Sequence, residues 1–237
     1  MRGALPVAGR ILWAMRRDRR TLGLVLAVPA VIVWLLSEVF ERPELVAPIL
    51  LGVIVFFLTY LLTSVGFLRE RTAGTMERVL AAPVTRSGLV VGYVTGYGVL
   101  AVLQSTVLLV AGVAFLDVTF EHGVVLFFLI ELLGALTALG IGIVLSLFAR
   151  SEFQVVQFIP VVITPQVVLG GTFLPVSDLP IYLELPARVM PLTYLLSAMD
   201  YVVLGEGSAS DLRIAVAVLA GFTLLSIMLA SVSVKRG

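Results

Sequence analysis

Six charged residues crowd into residues 68–88, LRERTAGTMERVLAAPVTRSG: Arg69, Glu70, Arg71, Glu77, Arg78 and Arg86. What these types offer is ion pairing and docking. Gly74 and Pro83 bracket residues 75–82, which read as a short helix, with Thr75 as its N-cap and Pro83 unable to continue it. Met76, Val79 and Leu80 share one face by the 3.6 period, and Glu77 and Arg78 flank it. Tied to apolar runs on both sides, such a helix can press its apolar face on a soluble partner and pass motion into a membrane. The competing reading is a solvated connector with a chance stripe. Glu70 and Arg71 stand where the preceding apolar run meets this loop, positioned to ion-pair with the N-terminal segment or a partner.

Other reactive groups are sparse. Glu131 is the one acidic residue well inside an apolar run, about 12 Å from its outer end at 1.5 Å per residue. An ionisable residue at membrane depth is a functional candidate; the alternative is a glutamate hydrogen-bonded to a neighbouring span or to the external segment. The other large polar groups in or near the runs are Gln104, Gln154, Gln157 and Gln166, and Gln154 and Gln157 share a face at i, i+3. His122 is the only histidine and falls in a short turn, where solvation suits it better than catalysis. One histidine and no cysteine leave no metal site. No G-x-x-x-x-G-K-[ST] string is present to cradle ATP phosphates, and no H-E-x-x-H. The chain is not read as an enzyme.

The elements that carry these residues are membrane helices. Hydrophobic residues make up 60% of the 237, charged residues 13%, and mean hydropathy is +1.13. A soluble domain is nearer half apolar and a quarter charged. Six apolar runs approach or exceed the roughly 20 residues needed to cross a bilayer: residues 21–39, 46–67, 89–116, 124–148, 154–174 and 212–234. Pro29 is expected to kink the first. Before them, residues 1–20 form an amphipathic helix with Val7, Ala8, Ile11, Leu12 and Met15 on one arc and Arg10, Arg16, Arg17 and Arg20 on the other, a pattern suited to the headgroup layer. Trp13 lies on the basic arc, facing a partner or sitting at headgroup level. With the N-terminus inside, thirteen basic residues lie on the cytoplasmic side and Arg42, Arg188 and Arg213 outside. Both termini are then cytoplasmic. Gly88, Gly92 and Gly96 in the third span, and Gly134, Ala138 and Gly142 in the fourth, allow close helix crossings, sliding or static. Residues 175–210 are too apolar for an exposed loop and too broken by Pro180, Pro186 and Pro191 to span. They are read as two short helices dipping part-way in from outside and roofing a cavity.

This pattern resembles the type-2 ABC exporter permeases. Glu70-Arg71-Thr72-Ala73-Gly74-Thr75-Met76-Glu77-Arg78 with Ala82-Pro83-Val84 is similar to that family's loop motif, E-R-x-x-G-T-x-E-x-L-x-x-x-P. Phe153-Gln154 to Pro160, then Gly170-Gly171-Thr172-Phe173-Leu174-Pro175, resemble its fifth span and exit, and Leu179-Pro180 with Pro191-Leu192-Thr193-Tyr194 its external segment. The resemblance covers essentially the whole chain, and its nearest flavour is the daunorubicin-resistance-like drug-efflux branch. It implies an all-α integral membrane fold: one permease domain over residues 1–237, an N-terminal elbow helix, six transmembrane helices, a coupling loop at 68–88 and a half-inserted external segment at 175–210. It implies a multi-pass protein of the cell membrane that carries a hydrophobic or amphipathic, drug- or lipid-like substrate outward. Its partners would be ATP-binding cassette subunits, which bind ATP and Mg, and a second permease copy, identical or paralogous; no cofactor in this chain and no nucleic acid are expected. Glu70, Arg71, Thr75, Met76, Glu77, Val79, Leu80 and Pro83 would couple to the ATPase, and Arg10, Trp13, Arg16 and Arg17 would be the elbow's working face. Glu131, Gln157, Gln166, Phe173, Leu174 and Tyr194 are the candidates for the substrate path or gate. The alternative is an ATP-independent secondary carrier or channel.

Overall fold

A computed structural model describes residues 3–73 and 85–233, with the backbone alone for residues 21, 86 and 87. Among the described residues every regular element is helical. The helices are α1 (Ala4–Arg17), α2 (Arg19–Val39), α3 (Pro43–Thr72), α4 (Arg86–Phe115), α5 (Val124–Ser146), α6 (Glu152–Phe158), α7 (Thr164–Leu169), α8 (Ile181–Ala187), α9 (Pro191–Leu204) and α10 (Ala209–Ser233). A π turn, Ile159–Ile163, joins α6 to α7. Six helical stretches are long and apolar enough to cross a membrane: α2, α3, α4, α5, α6 through α7, and α10. They match the six predicted runs.

Two boundaries moved. Helix α3 continues through Arg69, Glu70 and Arg71, which form its last turn rather than part of a loop. Cations there suit the negative end of the helix dipole. The fifth span stops at Leu169, because Gly170 caps it and Gly171 turns away at φ 101°. Within that span Pro160 and Pro165 remove backbone donors, and the wider π turn between them absorbs the mismatch. Pro29 sits inside α2 without breaking it. The short helix read at 75–82 lies outside the described residues.

The core forms where α3, α5 and α9 meet. Phe56, Tyr60, Phe127, Leu195 and Met199 are all fully buried there. Small residues set the distances. A Cβ on Gly52 would lie 2.8 Å from Leu196, one on Gly134 2.5 Å from Leu195, and one on Gly142 3.0 Å from the Tyr60 carbonyl. The stripe in the fourth span is therefore filled by neighbours in close packing. Gly52 and Gly134 lie roughly 15 Å along their helices from the α9 end of the bundle. Helix α9 thus reaches about half-way in, as read for the segment before the last span. In contrast α2 leaves Leu24, Val31, Trp34 and Leu35 exposed, a face suited to lipid or another protein.

Helix α1 uses its apolar arc differently from the sequence reading. Val7 and Ile11 do not lie free for the headgroup layer; they are buried on α4, where Gly92 and Gly96 make room for them. Ala230 of α10 belongs to the same cluster, so α1 and the end of α10 share one end of the bundle.

Candidate functional site

At the α1 end, the last turn of α3 is tied to four other elements by three consecutive residues. Arg10 Nη2 donates to Glu70 Oε2 at 2.6 Å and to the Tyr93 hydroxyl at 3.1 Å. That hydroxyl donates in turn to Glu70 Oε2 at 3.2 Å. One carboxylate oxygen thus collects α1 and α4 onto α3. Burial opposes the charge on Arg10, but the hydrogen bond and charge of Glu70 outweigh it and raise its pKa. Arg69 makes a two-pronged pair with Glu152 at the start of α6, 2.7 and 2.9 Å. Arg71 donates to the Leu147 carbonyl at 2.6 Å and to the Ala149 carbonyl, closing the end of α5.

Local sequence explains this convergence. An apolar helix ending in Arg-Glu-Arg presents three charges in different directions, because successive residues on a helix point about 100° apart. Phe67 packs edge-on against Tyr93 with ring centroids 4.8 Å apart, which fixes the tyrosine next to Glu70. Ser151 caps α6 by accepting from Gln154 N, and Gln154 Oε1 accepts from Arg150 N. Gln154 therefore closes the turn that begins α6. Residues 74–84, with Thr75, Met76, Glu77, Val79, Leu80 and Pro83, follow this knot but lie outside the described residues. On α1, Trp13 is exposed and carries the Arg17 guanidinium 4.2 Å from its ring centroid. Arg16 is exposed beside it and joins none of the described contacts.

The opposite end holds a cavity of about 1060 Å³. Phe173, Leu174 and Tyr194 line it together with Thr193, Asp200 and Glu206. The Tyr194 hydroxyl donates to the Arg188 carbonyl at 2.7 Å. Burial, and next the charge of Glu206, push the Asp200 carboxyl up to about 6. The other path candidates lie elsewhere. Gln157 is exposed on α6. Gln166 is buried on α7, where its amide donates to the Val162 carbonyl and its Oε1 meets no partner among the described residues. Glu131 is fully buried on α5, and neither carboxylate oxygen meets a hydrogen-bond partner among the described residues. The reading of Glu131 as bonded to a neighbouring helix is not met. Gln104 does have a partner, the Thr59 hydroxyl at 3.2 Å. His122 is not merely solvated: its ring stacks on Tyr201 at 4.0 Å and Nδ1 donates to the Tyr201 carbonyl at 2.8 Å, pinning the turn to α9.

Sequence reasoning missed Tyr93, Glu152 and Asp200. The signals for the first two were present: a tyrosine inside a span needs a partner for its hydroxyl, and Glu152 follows a helix-capping serine. Asp200 carried no local signal.

Comparison with known proteins agrees with this architecture. The family model described as "ABC-2 type transporter" matches residues 7–204. The chain is 30% identical over 165 residues to "ABC transporter G family member 20" of Dictyostelium discoideum, covering 69% of this chain and 23% of that protein. It is 24% identical over 163 residues to "Probable multidrug ABC transporter permease YbhR" of Escherichia coli, covering 69% and 44%. It is 23% identical over 160 residues to "Linearmycin resistance permease protein LnrN" of Bacillus subtilis, covering 67% and 41%. The chain spans less than half the length of each of these relatives. The match runs from α1 to the end of α9, through the knot at Glu70 and the half-inserted helices, and on it this multi-pass membrane protein belongs to the ABC-2 type transporter family.

Proposed function

We propose that this chain is the permease half of an ATP-driven exporter, working as a pair of permease copies with two separate ATP-binding cassette subunits. The observation that carries the reading is the knot at the end of α3. This 30-residue helix runs from the α9 end of the bundle to Thr72, and its last turn holds α1, α4, the end of α5 and α6 together. Residues 74–84 leave directly from that turn. A push on them would be delivered to all of these elements at once.

In this reading residues 75–82 are the coupling helix, with Met76, Val79 and Leu80 seated on the ATPase. Arg16, Arg17 and Trp13 form the exposed face of the elbow. The α1 end is cytoplasmic, from the bias of thirteen basic residues to three. Cargo is hydrophobic or amphipathic, in keeping with relatives named for multidrug transport and linearmycin resistance, and leaves past Phe173, Leu174 and Tyr194. An ATP-independent carrier is the second reading. It rests on Glu131 alone, a buried carboxyl with no partner among the described residues.

Leu80→Asp tests the proposal. Burying a leucine contributes roughly 1.5–3 kcal/mol, and the aspartate would also desolvate a charge. Co-purification with the ATPase and ATP-dependent transport should both be lost at normal expression. Wild-type binding and transport would remove the coupling role. Orientation is read separately by a cysteine placed at Ser208, since the chain has none of its own. It should react from outside intact cells; labelling only after permeabilisation would overturn the orientation.

A further inference from the structure

Beside the knot a cleft of about 610 Å³ lies between the α1–α2 corner and the α3–α4 pair. Its α3 wall is one stripe: Leu62, Gly66, Arg69 and Ala73 follow one another at four-, three- and four-residue steps. The cleft therefore runs along the helix axis, about 18 Å from Leu61 to Ala73 at 1.5 Å per residue. Polarity is sorted along it. Leu61, Leu62, Val25 and Leu100 wall the deep end, while Asp18, Arg69 and Glu70 stand at the mouth, level with the end of α3.

A slot parallel to a membrane helix, apolar within and charged at its rim, has the form of an amphiphile standing in one leaflet. Water does not fill it well, because a buried water needs two to four polar partners and the Tyr97 hydroxyl is the one polar side-chain group among the lining residues between the apolar end and the rim. Left empty, the walls would lose their dispersion contacts. At that depth hydrocarbon is the solvent at hand. At the rim, where Arg10 neutralises Glu70 and Asp18 stands near Arg69, the one group among the described residues that can take a phosphate is the Arg69 guanidinium. The Arg69 side chain is 61% exposed, and its pair with Glu152 lies at the surface, so the guanidinium has donors left to present.

We propose that the cleft holds one acyl chain of a phospholipid from the leaflet on the α1 side, with the lipid phosphate on Arg69. That lipid touches the elbow through Met15 and Asp18 and the end of α3 through Arg69 and Glu70. It is a wedge between the two elements that the Arg10–Glu70 pair joins, so its presence biases the angle between them. The site stands whichever way the chain is oriented. Under the orientation proposed above, the leaflet is the cytoplasmic one.

The test uses the full chain in nanodiscs doped with a phospholipid that carries a diazirine on one acyl chain, followed by illumination, digestion and mass spectrometry. Adducts should concentrate on the α3 segment 61–66 and around Leu100, above those on Met228 and Leu229, exposed on the outer face of α10. Leu62→Trp, and independently Leu22→Trp from the other wall, should lower cleft labelling several-fold and leave the α10 labelling unchanged, which also reports that the variant is folded. Arg69→Gln should lower labelling by the phospholipid and not by a free fatty acid with the same diazirine. Cleft labelling no stronger than that of α10, or unaffected by both tryptophans, would overturn the site. Equal loss of phospholipid and fatty-acid labelling in Arg69→Gln would overturn the phosphate contact. Labelling by an apolar photoreactive dye but not by phospholipid would make the cleft a route for cargo and end the proposal. None of these results depends on the cysteine at Ser208, so failure of the lipid site and failure of the orientation are told apart.

Discussion

The guanidinium of Arg10 and the carboxylate of Glu70 meet at 2.6 Å although sixty residues separate them in sequence, and the Tyr93 hydroxyl bonds to both. The side chains are about a third and a fifth exposed, so the pair is only partly screened by solvent. Its value lies in what it connects. Without it, the end of α3 would be joined to α1, among the described residues, by apolar contacts that tolerate sliding and by the longer-range attraction of Arg69 for Asp18 at the α1 cap.

Glu70→Ala is therefore expected to weaken coupling more than folding. An exposed pair contributes about 0–1 kcal/mol and a partly buried one somewhat more. In a double-mutant cycle with Arg10→Met, thermal unfolding should give a coupling energy of about 1 kcal/mol. Co-purification with the ATPase should survive, while substrate-stimulated ATP hydrolysis falls. Unchanged stimulation in Glu70→Ala would show that motion does not pass through this contact.

Gly92 gives a sharper test of how α1 is seated. A Cβ there would stand 2.6 Å from Val7 Cβ and 2.8 Å from the Ala4 carbonyl oxygen. Gly92→Ala should then push α1 away from α4 and destabilise the protein by about 1–3 kcal/mol. Val7→Ala should not rescue it, because the Val7 Cβ and the Ala4 backbone both remain. Around Gly9, on the open side of α1, no described residue comes within 4 Å of where a Cβ would stand. Gly9→Ala should be neutral or stabilise by up to about 1 kcal/mol through helix propensity alone. Equal melting temperatures for Gly92→Ala and Gly9→Ala would mean α1 is not held on α4 as described.

These two positions also show how far the sequence could be read. The six spans were legible because membrane crossing imposes length and hydropathy together, and both survive without knowledge of neighbours. The stripe of Val7 and Ile11 was legible as a stripe, but its destination was not. Lipid and a neighbouring helix select the same apolar side chains. The missing half of the signal was Gly92 and Gly96 at matching spacing on another helix, a pairing that only the fold reveals. Glu70 and Arg71 could be located because charges at the end of an apolar run stand out. Tyr93, reached across 23 residues from Glu70 and 83 from Arg10, could not be assigned a partner. The π turn was foreshadowed only by Pro160 and Pro165 lying in one span.

Asp200 predicts a pH dependence. Its carboxyl titrates near 6 in the folded chain against 3.8 for the free side chain, chiefly from burial and then from the charge of Glu206. The folded state therefore holds the proton more tightly than the unfolded state. Stability is fully present below about pH 4 at this site and is lost as pH rises through about 6. The two-unit shift corresponds to at most about 3 kcal/mol. Asp200→Asn should raise the melting temperature at pH 7 and flatten its decline between pH 4 and 6. An identical decline in the variant would assign the pH dependence to other groups.

Glu131 calls for the opposite logic to Glu70. Glu70 is surrounded by donors, and removing it breaks bonds. Glu131 is fully buried in α5 with neither oxygen bonded among the described residues, and removing it breaks none. A buried polar group without a partner costs about 1–3 kcal/mol relative to an apolar group of similar shape. Glu131→Met, close in volume and able to fill the same space, should therefore unfold at higher temperature than the wild type. A glutamate kept solely for packing would let that variant transport normally. If Glu131 acts in the substrate path, as the transport reading has it, transport falls while stability rises. Lower stability in Glu131→Met would show that the carboxyl is held by a partner within the native fold and would remove it from the candidates for the substrate path.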